Sequence, residues 1–199
     1  MKKRIVIAAG HYPNLPGCSY FGLIEHREAQ IVVTHLGGML RDVGYDVMEV
    51  SGTLHEKIKM IADRNVHPPR KGLSAAVEVH FNAGAGGHGT ECLYGSNPKD
   101  KELAEAIQRR LVDKLGLRDR GTKFADYWKT PEVDECAWPR EIDGPAVIVE
   151  PLFLSCKDEA ALLRDGQIHA EIANGIFEGI DDFLGSSGRI RKIQLRIKN

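Results

Sequence analysis

The sequence predicts a single α/β domain in which a mostly parallel mixed sheet of about six strands is flanked by helices on both faces. Its 199 residues, 42% of them hydrophobic, are enough for one domain with a substantial core, whereas two domains would each be small. Short apolar runs typical of buried strands alternate with longer helical patterns along the chain. This alternation favours a layered α/β fold with a largely parallel sheet.

The predicted strands are short apolar runs bounded by glycine, proline or polar residues. They cover Arg4 to Ala9, Tyr45 to Val50, Ala75 to His80, Glu91 to Tyr94 and Ala146 to Glu150. Near the C-terminus, apolar and polar residues alternate between Arg189 and Lys198, a segment with five basic and no acidic residues. We interpret this segment as an edge strand with a basic face, because edge strands are commonly charged.

The predicted helices have apolar residues three or four positions apart. They run from Glu25 or His26 to Val43, from Leu54 to Arg64, from Pro98 to Leu115 and from Gln167 to Phe183. Asn97 is a favoured N-cap residue, and proline is favoured at the first helical position that follows it. Gly44 and Gly116 are placed to end the first and third helices.

A polar, aromatic-bearing loop region is predicted from Leu117 to Trp138, where no helical pattern continues. Four large side chains ahead of the last strand either line a groove or pack within the loops: Arg120, Trp128, Trp138 and Arg140.

Composition excludes several classes of protein. The 27 basic and 28 acidic residues give a net charge of −1, so no positive field favours nucleic-acid binding. The four cysteines include no C-x-x-C pair, which argues against a zinc knuckle and a dense disulfide framework. No segment approaches the ~20 apolar residues of a membrane span. The apolar run at Ile5 to Ala9 is shorter than a signal-peptide core, so we expect synthesis in the cytoplasm without a signal peptide.

Three polar residues lie at the carboxyl ends of predicted strands. His11 follows the first strand, His80 closes the third and Glu150 closes the last. Because these ends meet at one edge of a parallel sheet, we expect the three side chains to converge. Two imidazoles and a carboxylate can hold Zn²⁺ with one position left for water, while a second carboxylate acts as general base.

The remaining carboxylate is expected from the loop or helix that follows the first strand. Glu25 and Glu28 are both candidates, since both lie near the start of the first helix. Glu78 shares the strand face of His80 and is interpreted either as a hydrogen-bond acceptor behind a metal-bound imidazole or as a solvated residue. The other histidines have no convergent partner and are interpreted as surface residues: His26, His35, His55, His67, His88 and His169.

Four motifs in order resemble the zinc-dependent N-acetylmuramoyl-L-alanine amidases of phage endolysins and bacterial autolysins. They are AAGH (8–11), a glutamate ahead of a helix ending in LRDVG (40–44), VEVHFNA (77–83) with the following GTECLYGSN (89–97), and AVIVEPLF (146–153). The resemblance covers about residues 3–184. It implies that His11, Glu25 and His80 bind one zinc ion per chain and that Glu150 is the catalytic carboxylate. Glu25 is preferred over Glu28, because its distance to Gly44 fits the helix length of the family.

The resemblance further implies a peptidoglycan substrate, cleaved between N-acetylmuramic acid and L-alanine of the stem peptide. Residues 1–184 would form the catalytic domain, and residues 185–199 a short linker and a basic tail. As an alternative to a charged edge strand, the basic residues of the tail can be interpreted as attracted to an anionic cell surface. The expected source is a phage or prophage, whose endolysin acts on the wall after release. Two alternatives stay open: a zinc peptidase or other small-amide hydrolase on the same scaffold, and a catalytically silent wall-binding or structural protein.

Overall fold

The computed structural model describes residues 2–64, 72–125 and 137–185. Its strands are β1 (Arg4–Ala9), β2 (Ser19–Tyr20), β3 (Leu23–Ile24), β4 (Asp46–Val50), β5 (Leu73–Val79), β6 (Thr90–Tyr94), β7 (Asp119–Phe124) and β8 (Ala146–Glu150). Its helices are α1 (Glu25–Asp42), α2 (Leu54–Arg64), α3 (Pro98–Leu115), α4 (Trp138–Glu141), α5 (Lys157–Leu162) and α6 (Gln167–Phe183). None of the helices in these ranges is both long and apolar enough to cross a membrane.

Six strands form one mixed sheet in the order β4-β1-β5-β8-β6-β7. The first four run parallel to one another, β6 is antiparallel to β8, and β7 is parallel to β6. The mostly parallel mixed sheet predicted from the sequence is therefore confirmed. Strands β2 and β3 form a separate two-stranded ribbon between β1 and α1.

The core consists of two apolar layers, one on each face of the sheet. Alternate residues of β1 point to opposite faces, so that Ile5 and Ile7 pack in one layer while Val6 packs in the other. Helices α1, α3 and α6 cover the first face, and α2 and α4 contribute to the second. Because the central strands are buried on both faces, their sequences are almost continuously apolar, as expected for parallel strands.

Helix α3 is capped at both ends as its sequence predicts. The Asn97 side chain accepts a hydrogen bond from the Lys99 amide, and Gly116 ends the helix with a φ of 63°. Asp100 completes a capping box and also accepts a hydrogen bond from the Ala146 amide at 2.8 Å. Helix α3 is thereby tied to the first residue of β8, the strand that carries Glu150.

The far edge of the sheet differs from the sequence prediction. The segment Asp119–Phe124, predicted as loop, forms the edge strand β7 and supplies the sixth strand. Of the two interpretations of Trp138, the structure supports packing, because this first residue of α4 is fully buried in the second layer of the core. Trp128 and the basic tail lie outside the described residues, and the prediction of an edge strand in the tail is untested.

Two helical glycines allow the packing of the first layer to be tested. A methyl group at Gly179 of α6 would lie 2.5 Å from the Ile107 Cα of α3, whereas Gly38 of α1 faces open space. We expect Gly179→Ala to lower the free energy of unfolding by about 1–3 kcal/mol through overpacking. Gly38→Ala should instead raise it by roughly 0.5–1 kcal/mol, because alanine is the better helix former. Urea denaturation of both variants measures the two changes, and equal effects would contradict the close approach of α3 and α6.

Candidate metal centre

The residues of the predicted site gather at the carboxyl ends of β1, β5 and β8. Hydrogen bonding between these segments continues past the ends of the strands, since the Gly10 amide donates to Val79 O at 2.7 Å and the His80 amide to Val149 O at 2.9 Å. The loop after β1 then returns to the same edge, where the Glu25 amide donates to Cys18 O and starts α1. Main-chain hydrogen bonds thus bring the segments that carry His11, His80 and Glu25 to one edge of the sheet.

His11, Glu25 and His80 each offer one atom to a common point. These three ligand atoms lie within 4.8 Å of one another. Glu25 Oε1 is 3.2 Å from His11 Nε2 and 3.1 Å from His80 Nδ1. In a tetrahedral zinc site with bonds of ~2.0–2.2 Å, neighbouring ligand atoms are ~3.3–3.5 Å apart. The His/Glu/His set fits a zinc ion in its chemistry, and the two distances from Glu25 are close to this spacing.

The Glu25 carboxylate is almost fully buried and accepts main-chain hydrogen bonds as well. The Cys18 amide donates to its Oε2 at 3.0 Å and the Phe81 amide to its Oε1 at 3.2 Å. Burial raises the pKa of Glu25, but the hydrogen bonds and charges of His11 and His80 outweigh it and hold the net pKa far below its usual range. The Glu25 carboxylate is therefore ionised, which is the form that can bind a cation.

Glu78 lies behind the His80 ring, on the side opposite Glu25. Its Oε2 is 3.3 Å from His80 Nε2, while His80 Nδ1 faces Glu25. Burial lowers the pKa of His80, but hydrogen bonds and charges from Glu25 and Glu78 raise it more, so that the net pKa is well above its usual value. With Nδ1 on a metal ion, the ring proton would be on Nε2, which lies 3.3 Å from Glu78 Oε2 in an ion-pair contact without hydrogen-bond geometry.

Two glycines allow the ligand side chains to pack directly against the main chain. A Cβ at Gly10 would lie 2.5 Å from atoms of the His80 ring, and one at Gly17 would lie 2.5 Å from Glu25 Oε2 and from the His11 ring. Gly17 also has a φ of 77°, which favours glycine. His11 itself has a φ of 58°, an uncommon value for a residue with a side chain. The two glycines therefore leave space that the side chains of His11, Glu25 and His80 occupy.

A cavity of about 240 Å³ opens beside the three ligands. It is lined by His11, Gly17, Cys18, Glu25, His80, Phe81, Asn82, Ala83, Leu93, Ile148 and Glu150. Glu150, half-buried at the end of β8, therefore faces the same space as the ligand set. The volume exceeds the ~30 Å³ share of one water molecule and leaves room for part of a substrate.

Cys18 is one of the residues that line this cavity. Burial raises the pKa of the thiol, and the charge of Glu25, a hydrogen bond to Glu25 and the charge of Glu150 raise it further. The thiol is thus neutral across the physiological range and leaves Glu25 and Glu150 as the acidic groups that line the cavity.

Glu28, the alternative acidic ligand, lies apart from the ligand set. Its Oε2 is 2.8 Å from His169 Nε2, in a contact between α1 and α6. The interpretation of His169 as a surface residue is wrong, since it is only 3% exposed. His26 is also partly buried, and its Nδ1 donates to Gly10 O at 2.9 Å.

Two residues near the site were missed by sequence reasoning. Lys57 of α2 is buried, and its Nζ donates to Glu78 Oε1 at 2.7 Å. The signal that could have identified Lys57 was its position between Leu54 and Ile61, on the apolar stripe of α2. Glu91 of β6 is also buried and binds Arg120 and Lys123, each at 2.5 Å. No pattern in the sequence marks Glu91, because its partners are brought to it by the pairing of β6 with β7.

Comparison with known proteins agrees with the motifs. The family model described as N-acetylmuramoyl-L-alanine amidase matches residues 5–182. An endolysin of Bacillus phage SPP1 is 30% identical over 195 residues, which span 92% of this chain and 67% of that protein.

Solved structures show the same fold at lower identity. The N-acetylmuramoyl-L-alanine amidase AmiC2 of Nostoc punctiforme superposes with a TM-score of 0.76 and 19% identity over 93% of this chain and 98% of that one. The catalytic domain of CwlV, an N-acetylmuramoyl-L-alanine amidase from Bacillus (Paenibacillus) polymyxa var. colistinus, gives a TM-score of 0.75 and 22% identity over 92% and 99%. Since the family model covers nearly all of the sequence, the chain belongs to the N-acetylmuramoyl-L-alanine amidase family.

Proposed function

We propose that this chain is a zinc-dependent peptidoglycan hydrolase that cleaves the amide between the lactyl group of N-acetylmuramic acid and L-alanine. The observation that carries the proposal is the approach of three ligand atoms within 4.8 Å of one another, beside a cavity that Glu150 also lines. Two imidazoles and one carboxylate leave a fourth position open, as catalytic rather than structural zinc sites do.

The three ligands have complementary tasks in this proposal. His11 Nε2, Glu25 Oε1 and His80 Nδ1 would hold the ion, and the main-chain amides of Cys18 and Phe81 keep the Glu25 carboxylate in place through hydrogen bonds. Zinc, when bound, supplies a water whose pKa falls from ~15.7 towards ~7 and polarises the substrate carbonyl. Glu78 fixes the orientation and tautomer of His80 from behind.

Glu150 is the proposed general base. It takes a proton from the attacking water as the new carbon–oxygen bond forms at the amide carbonyl. It then returns that proton to the alanine nitrogen as the carbon–nitrogen bond breaks. The products are the free carboxyl group of the lactyl ether and a stem peptide with a new L-alanine amino terminus. The place of Glu150 at the end of β8, on the wall of the ligand cavity, supports this role.

The biological setting is proposed as that of an endolysin. The similarity to the endolysin of Bacillus phage SPP1 supports an enzyme that acts on the wall after its release from the cytoplasm. Residues 1–184 would carry the chemistry, and residues 185–199 would form a linker and a basic tail.

Mass spectrometry of digested peptidoglycan tests the reaction. We expect muropeptides to gain free L-alanine amino termini, and a chelator to abolish their appearance until zinc is restored. A different new terminus would indicate a peptidase on the same scaffold, and no digestion together with no bound zinc would indicate a catalytically silent protein.

Two substitutions separate metal binding from proton transfer. Glu150→Gln should retain stoichiometric zinc but lose at least ~10²-fold in turnover, because the amide cannot accept the proton. His80→Ala should lose the zinc itself, since one of three ligands is gone. Metal analysis and wall-lysis rates measure both, and near wild-type lysis by Glu150→Gln would overturn the assignment of the base.

Deleting Gly188 to Asn199 tests the basic tail. We expect the shortened protein to keep its activity on soluble muropeptides but to pellet less with purified cell walls at low salt, because positive charges that attract an anionic surface are gone. Unchanged pelleting would remove any role for the tail in targeting.

A further inference from the structure

Lys57 of α2 is a buried lysine at the back of the ligand set. Its side chain is 3% exposed, although the neighbouring positions of the helix include the exposed Lys59. Burying an ammonium group is costly unless it is paired and hydrogen-bonded. An apolar side chain would suit the stripe formed by Leu54, Ile58 and Ile61 without that cost. The position of Lys57 therefore calls for an explanation beyond packing.

The ammonium group contacts both segments that carry a histidine ligand. Lys57 Nζ donates to Ala9 O at 2.7 Å and lies 3.5 Å from His11 O, so it spans the main chain on either side of Gly10. It also donates to Glu78 Oε1 at 2.7 Å, and the other oxygen of Glu78 is 3.3 Å from His80 Nε2. One positive charge thus links the backbone around His11 to the carboxylate behind His80.

The contacts of Lys57 lie beside a segment with uncommon backbone geometry and close packing. His11 has a φ of 58°, and Gly10 packs directly against the His80 ring, so small movements of residues 9–11 would disturb both imidazoles. Such uncommon backbone geometry persists only when the surrounding contacts determine it. Lys57 provides contacts on both sides of that segment.

We propose that Lys57 is a positioning residue for the metal centre, which fixes His80 through Glu78 and fixes His11 through the carbonyls of Ala9 and His11. The inference rests on the proposed zinc-dependent function and assigns Lys57 no contact with substrate. Partners behind a metal ligand typically change metal affinity by ~10–100-fold when they are removed. A lysine that only stabilised the fold would leave the affinity of the folded protein for zinc unchanged.

The test compares Lys57→Met with Lys59→Met, a matched change at an exposed position of the same helix. Zinc dissociation constants are measured by competition with a chromophoric chelator, and the visible spectrum of the Co²⁺-substituted protein reports ligand geometry. We expect Lys57→Met to bind zinc ~10–100-fold more weakly and to show an altered cobalt spectrum. Lys59→Met should match the wild type in both measurements.

A second variant removes the risk that Lys57→Met fails to fold because Glu78 keeps a buried charge. Lys57→Met/Glu78→Gln carries neither charge, and the proposal requires weakened zinc binding and an altered cobalt spectrum here too. Wild-type zinc affinity and an unchanged cobalt spectrum in the folded double variant would overturn the role of Lys57. Absence of zinc binding by the wild-type protein would instead overturn the proposed function, so the two failures are distinguishable.

Discussion

The Glu25 carboxylate is the constraint around which the site is organised. A buried carboxylate is tolerated only when its oxygens are hydrogen-bonded or paired. Glu25 meets this condition with two main-chain amides and two imidazoles, which come from the loop after β1 and from the end of β5. These segments must close around the start of α1 before the charge is satisfied. The same contacts bring one ring nitrogen of His11 and one of His80 to 3.2 and 3.1 Å from Glu25 Oε1, so the folded arrangement of these segments is also the arrangement of the candidate ligands.

The sequence predicts the part of the structure that follows from local pattern. Buried parallel strands are apolar runs, and their carboxyl ends share an edge, which is why the convergence of His11, His80 and Glu150 could be anticipated. The edge strand β7 could not, because the polar sequence DRGTKF becomes a strand only through its pairing with β6. Local pattern could not decide between Glu25 and Glu28 as the acidic ligand either. The partner of Glu28 is His169, which lies 141 residues further along the chain.

The reversed direction of β6 has an electrostatic effect on the edge of the sheet that carries Glu150. Because β6 is antiparallel to β8, Glu91 is paired in register with Glu150. Two carboxylates on neighbouring strands repel each other unless one is compensated. Arg120 and Lys123 both bind Glu91 Oε2, and the side-chain Nδ2 of Asn82 donates to Glu91 Oε1 at 2.6 Å. The cations of β7 therefore balance the charge of Glu91 and leave Glu150 as the acid on the cavity wall, a consequence of topology that inspection of either strand alone would not reveal.

Positions around the cavity and its candidate ligands differ in how well they tolerate substitution. At Gly10 and Gly17 even one added carbon atom would collide with a side chain of the His/Glu/His set, so neither position accepts a larger residue unless that set moves. Asn82 and Ala83 also line the cavity but offer no ligand atom to the set. Substitutions meant to reshape the cavity while His11, Glu25 and His80 stay in place therefore belong at such positions and not at Gly10 or Gly17.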